Sequence, residues 1–127
     1  MAVQGQKTIL AIDDEPHMLD ILKTVLQAEG YVVLTASGGR ESIELYKEHW
    51  RDIHVVLLDF MMPEMTGDQV FDHLKQINPN VPVLLVSGSA DRARQSAMLA
   101  KGVRGIVHKP FYLHELVRQV SAVVGAV

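Results

Sequence analysis

Val55-Val56-Leu57-Leu58-Asp59-Phe60-Met61-Met62-Pro63 decides how the chain is read: four apolar residues without alternation, then a carboxylate, then a turn running on to Gly67. A short continuous run of Val and Leu is what a strand buried on both faces looks like, as in a parallel sheet covered by helices. Similar runs stand at Ile9 to Ile12, Tyr31 to Leu34, Val83 to Val86 and Ile106-Val107. Their starts step by 22, 24, 28 and 23 residues, the length of a strand, a helix and two turns, so the chain reads as five βα units.

The segments between carry helical spacing. Met18, Ile21, Leu22, Val25 and Leu26 fall on one helical face, with Pro16 near the first turn and Gly30 past the end. Ile43, Leu45 and Tyr46 predict a second helix, Val70, Phe71, Leu74 and Ile77 a third that stops before Pro79, and Leu113, Leu116, Val117, Val120 and Val124 a last one. From Asp91 to Ala100 the apolar side is thin, formed by Ala93, Ala97, Met98 and Ala100, which predicts a short and less firmly packed helix. The fold class expected is α/β: one doubly wound, five-stranded parallel sheet flanked by five helices, flavodoxin-like, in the order 2-1-3-4-5 common to such sheets.

Composition agrees with a packed single domain. The chain has 127 residues, 48% hydrophobic and 21% charged. It is read as one domain over 1–127 with a flexible segment at 1–6, and too short for a separate output domain. With no cysteine there is no disulfide framework, thiolate metal site or cysteine nucleophile, which suits a reducing cytoplasm. A formal charge of −3 offers no footprint for direct nucleic-acid binding. No apolar run approaches the length of about 18 residues that a membrane span needs, and Met1 to Gln6 lacks the pattern of a signal peptide. A cytoplasmic protein is expected, with no membrane partner.

Ligands of such sheets sit at the carboxyl ends of the strands. The runs are followed or ended there by Asp13, Asp14 and Glu15, by Asp59, by Ser87, and by Lys109 with Pro110. In the expected order these strands are neighbours, so three aspartates, a hydroxyl and an ammonium converge. Carboxylates crowded together raise one another's pKa and call for a compensating cation. An all-oxygen set without thiols or paired histidines, in an open site that keeps waters, favours Mg²⁺ over Ca²⁺. A carboxylate beside Mg²⁺, a lysine and a hydroxyl can attack phosphorus, and Asp59, at the end of the central strand, is the best nucleophile; Asp13 and Asp14 are better placed to hold metal.

Ile12-Asp13-Asp14-Glu15, Leu57-Leu58-Asp59-Phe60-Met61-Met62-Pro63 with Gly67, Val86-Ser87-Gly88 and Lys109-Pro110-Phe111 together resemble the receiver domain of bacterial two-component response regulators, in that family's order and spacing. The resemblance implies a self-phosphorylating signalling module and not a turnover enzyme. Asp59 would take a phosphoryl group from a histidine kinase or phosphotransfer protein, Asp14 would bind Mg²⁺ directly and Asp13 through water, and the Met61 carbonyl would complete the protein ligands. Ser87 and Lys109 would contact the phosphoryl oxygens, after which affinity for a downstream protein changes. Met61 and Ser89 sit where the family tunes dephosphorylation. One position departs: three residues before the lysine the family often has Tyr, Phe or His, whose ring turns inward, and here it is Ile106. Signalling is then expected to rely on the loop after Ser87 and on the weak fourth helix. A monomer or weak homodimer is expected.

Taken singly, these residues have plainer readings. Asp14 and Glu15 can cap a helix, Asp59 and Ser87-Gly88 can form turns, and Lys109 can be a solvated strand end; their joint placement is what favours a site. His17, His49, His54, His73, His108 and His114 show no metal-binding spacing and read as surface or helix-face residues. Met61, Met62 and Met65 read as adaptable packing in a turn, and Trp50 as a packing residue away from the site. Other functions remain weaker expectations. A Mg²⁺-dependent aspartyl-phosphate hydrolase would need an acid at the place of Met61; an FMN binder would be repelled by Asp13-Asp14-Glu15; and a phosphorylation-independent interaction module would not need the intact acidic set.

Overall fold

The computed structural model of the protein describes residues 6–88 and 92–125. Strands and helices alternate strictly: β1 (Thr8–Ile12), α1 (Pro16–Ala28), β2 (Val32–Ala36), α2 (Gly39–His49), β3 (Ile53–Asp59), α3 (Gly67–Ile77), β4 (Val83–Ser87), α4 (Arg92–Lys101), β5 (Gly105–His108) and α5 (Leu113–Gly125). All strand pairs are parallel, in the order β2-β1-β3-β4-β5.

Successive residues of the central strands face opposite sides of the sheet, and each side has its own core. Leu10, Ile12, Val56, Leu58, Val83 and Leu85 pack beneath Tyr46 of α2 and Val70, Phe71 and Leu74 of α3. Ile9, Ala11, Val55, Leu57, Leu84 and Val86 pack beneath Leu22 and Leu26 of α1 and Leu116 and Val120 of α5. Each of the Val, Leu and Ile side chains among them contributes about 1.5–3 kcal/mol by leaving water, which is why β1, β3 and β4 read as unbroken apolar runs. The outer strands differ from that expectation: Val32 of β2 and His108 of β5 are exposed, because each edge strand has a neighbour on one side only.

Local chemistry sets the helix boundaries. Pro16 opens α1, and past its end Gly30 adopts φ +95°, a conformation that favours glycine. At α3, Thr66 and Gln69 form a reciprocal capping box, the Thr66 amide donating to Gln69 Oε1 at 3.0 Å. Asn78 follows α3 directly, and its side-chain amide donates to the buried Tyr46 hydroxyl at 3.1 Å.

Helix α4 is packed less firmly than its neighbours, as expected, but on a different line. Met98 is its sole buried residue, while Ala93, Ala97 and Ala100 are exposed. The helix turns Gln95, Met98 and Lys101 inward at a spacing of three, and only methionine among the apolar candidates has enough surface to fill the space over Phe71 and Val103. Asp91, expected at the start of this helix, and Ser89 lie outside the described residues. Of segment 1–6 only Gln6 is described; it is exposed and its amide donates to the Gly30 carbonyl at 3.4 Å. No helix among the described residues is long and apolar enough to cross a membrane.

Candidate functional site

Asp59 is the last residue of β3, and its neighbour in β4 is Val86, so the carboxylate stands one position below Ser87 on the adjacent strand. On the other side β1 ends at Ile12, paired with Leu58, which brings Asp13 alongside. Asp13 is held by the Glu15 amide, which donates to its Oδ1 at 2.9 Å, and by its own amide, which donates to the Ala36 carbonyl. The three aspartates Asp13, Asp14 and Asp59 each offer an oxygen within 4.8 Å of the others. Asp13 and Asp59 are buried and Asp14 is half-buried. Among the described residues no other three acidic, histidine or cysteine side chains gather in this way.

Lys109 enters from the end of β5. Its ammonium lies 3.3 Å from Asp13 Oδ2 and 3.6 Å from Asp59 Oδ1. Its backbone amide donates to the Ser87 carbonyl at 2.9 Å, which ties the lysine to the end of β4. The Lys109–Pro110 peptide bond is cis. Ser87 itself is buried at the end of β4.

One lysine does not balance three carboxylates. Burial, followed by the charge of Asp13, pushes the Asp59 carboxyl up to about 6, although Lys109 and the Met61 amide pull it back. That amide donates to Asp59 Oδ1 at 3.4 Å. Burial alone would lower Lys109, but Asp59 and Asp13 outweigh it and hold the ammonium above its ordinary value. The donor set is all oxygen, anionic and under-compensated, which fits a hard divalent cation such as Mg²⁺.

The sequence-predicted residues therefore fall at one end of the sheet. Asp13, Asp14, Asp59 and Lys109 come together directly; Ser87 stands at the adjoining strand end; Met61 follows in the turn, 58% exposed. Sequence reasoning names Glu15 at the strand end but gives it no role in the site, where its amide orients Asp13 and its charge also acts on Lys109, and it passes over the capping signal Thr66-x-x-Gln69 that anchors the far end of the turn. Ile106 is half-buried against the core under α2 and α3. Trp50 lies at the end of α2, half-buried beneath the Arg51 guanidinium. His54, read as a surface or helix-face residue, lies instead in β3, half-buried, where its Nδ1 accepts the Thr8 amide at 3.1 Å.

Comparison with known proteins agrees with this geometry. The response regulator receiver domain family matches residues 9–121. The probable transcriptional regulatory protein TcrX of Mycobacterium tuberculosis is 35% identical over 115 residues, covering 91% of this chain and 48% of its own length. The chain thus spans about half the length of the curated relatives it matches. A response regulator receiver domain protein from Clostridium thermocellum superposes with a TM-score of 0.90 at 28% identity, covering 94% of this chain and 95% of that one. The response regulator protein TrrA of Thermotoga maritima, solved in complex with Mg²⁺-BeF, superposes with a TM-score of 0.82 at 28% identity, covering 93% and 99%. With the sheet order, the acidic cluster and the lysine in place, the chain belongs to the response regulator receiver domains, the family of two-component phosphorelay signalling.

Proposed function

We propose that this chain acts as one receiver domain that accepts a phosphoryl group on Asp59 from the phosphohistidine of a kinase or phosphotransfer protein, in the cytoplasm, and then changes its affinity for a downstream protein. The observation that carries this reading is the Asp13, Asp14 and Asp59 cluster, with oxygens within 4.8 Å and the Lys109 ammonium 3.6 Å from Asp59.

In the transfer, an Asp59 oxygen attacks phosphorus while the bond from phosphorus to the donor nitrogen breaks, and the electron pair leaves with the imidazole. Asp59 must be ionised to attack, and with a carboxyl titrating at about 6 it is mostly ionised at neutral pH. Lys109 neutralises charge on the phosphoryl oxygens, and Ser87 donates its hydroxyl to one of them. Asp13, Asp14, Asp59 and the Met61 carbonyl would hold Mg²⁺, which supplies further charge neutralisation at the same oxygens. Glu15, through its amide, keeps Asp13 facing the site. The role is one transfer per signalling event and not turnover of a small substrate. An aspartyl-phosphate hydrolase is disfavoured because the exposed Met61 stands where that chemistry needs an acid.

Incubation with Mg²⁺ and acetyl phosphate, read by intact mass, tests the reading. One added phosphoryl group, lost in Asp59→Asn and on chelation of the metal, supports it. An unchanged mass, together with no bound state with beryllofluoride, overturns it in favour of a phosphorylation-independent interaction module.

A further inference from the structure

At the end of the sheet away from Asp59, where the chain enters β3, β4 and β5, lies an open cavity of about 460 Å³. Trp50 and Arg51 border it from the end of α2, His54 from β3, Asn78 and Asn80 from the turn before β4, and Arg104 from the turn before β5. Its volume falls within the range of about 300–1,000 Å³ usual for small-molecule sites. No carboxylate borders it, so two positive charges are concentrated there on a chain whose formal charge is −3.

The donors are held by contacts that leave most of them unused. The Arg51 guanidinium lies 5.0 Å from the centre of the Trp50 ring, and such a contact through the ring face consumes none of its five N–H groups. Arg104 Nη2 donates to the Asn80 carbonyl at 3.2 Å, which orients the guanidinium across two turns and uses one N–H. His54 Nδ1 accepts the Thr8 amide, so in the neutral ring the proton sits on Nε2, which is a donor. The ring is set by the sheet itself: His54 stands where β1 and β3 slip register, Thr8 pairing with Ile53 and Ile9 with Val55. Among the described residues neither guanidinium meets a carboxylate.

We propose that this cavity binds a phosphate-bearing small molecule, held by Arg51 and Arg104, at a site separate from Asp59. A carboxylate has two oxygens and one charge, which a single guanidinium fork satisfies. Two guanidiniums and an imidazole N–H call for an anion of higher charge with more oxygens, as a phosphoryl group supplies. A long polyanion is disfavoured, since beyond the cavity it would meet a surface whose net charge is negative.

Trp50 is the single tryptophan of the chain, so its fluorescence reads the cavity directly. The metal-free protein is titrated at fixed ionic strength with pyrophosphate, ADP and uncharged adenosine, followed by Trp50 fluorescence and by the ring signals of His54 in NMR. Pyrophosphate and ADP should each saturate one site, and adenosine none. Equal affinity for the two identifies the phosphoryl groups as the whole ligand; tighter binding of ADP identifies a nucleotide. Affinity should fall by about tenfold in Arg104→Gln and in Arg51→Gln, the latter read at His54 because Arg51 itself touches the indole. It should stay within about twofold of the wild type in Arg40→Gln, which removes an equal charge from α2. Equal weakening in all three variants overturns the site in favour of diffuse charge attraction. Adenosine binding as tightly as ADP, or no saturable change with either phosphate at millimolar concentration, overturns it as well.

Discussion

The ammonium of Lys109 stands 3.3 Å from the carboxylate of Asp13, a contact between residues 96 apart in sequence that closes one end of the sheet. The same ammonium reaches Asp59 at 3.6 Å, so a single cation serves two buried anions while Asp14 adds a third charge nearby. The site is therefore built with a deficit of positive charge, and its behaviour follows from that.

Removing Lys109 separates its two electrostatic effects. In Lys109→Met the formal charge of the three carboxylates and lysine goes from −2 to −3, so Mg²⁺ should bind at least as tightly as in the wild type, by calorimetry. Phosphorylation by acetyl phosphate should nevertheless slow by about 100-fold, because a charge aimed at the phosphoryl oxygens is gone. Equal loss of both would show that Lys109 only organises the site.

Asp59 makes the metal-free protein sensitive to pH in an unusual direction. Its folded carboxyl titrates at about 6, above the ordinary 3.8, so the proton is held more firmly in the folded chain. The stability this gives is fully present below about pH 4 and lost as pH rises through 6, by up to about 3 kcal/mol. Urea unfolding in chelator should show wild type losing stability relative to Asp59→Asn across that interval. Mg²⁺ should restore the difference at pH 7.5 and do little at pH 4.5, in proportion to how much it binds.

Asp14 is half-buried, and the Lys109 ion pairs run to Asp13 and Asp59. Asp14→Asn should therefore weaken Mg²⁺ binding by more than about tenfold while leaving the melting temperature of the metal-free protein unchanged or raised, since one of three crowded charges is removed. A fall in metal-free stability would contradict this.

Gly67 opens α3 where the chain returns against Phe60. A methyl group there would press on the backbone of Phe60 at 2.8 Å and on its ring at 3.1 Å, and backbone does not give way as a flexible side chain does. Gly67→Ala should cost about 1–3 kcal/mol in urea unfolding. It should also lower phosphorylation by displacing the turn after Asp59, with circular dichroism confirming that the fold persists.

Much of this was legible one residue at a time. Runs such as Val55 to Leu58 announce strands covered on both faces, and once helices alternate with strands, chain geometry directs Asp13, Asp59, Ser87 and Lys109 to the same end of the sheet. The helix at Met18 to Leu26 was readable because Pro16 and Gly30 bracket a strict apolar stripe. In α4 the same method names Met98, which is buried, together with three alanines that stand exposed, because alanines count as apolar in a pattern but have little area to bury.

The order of elements, the parallel sheet and the composition of the acidic site can be read along the chain, because they depend on local periodicity and on which residue ends each strand. That Lys109 bridges Asp13 and Asp59, that the Lys101 ammonium of α4 meets Asp72 of α3, and that the Arg94 guanidinium covers Phe60 emerges once the elements are packed together. Those contacts join side chains from separate elements across a few ångströms. Such distances follow from how helices settle on the sheet, which no spacing along the chain encodes.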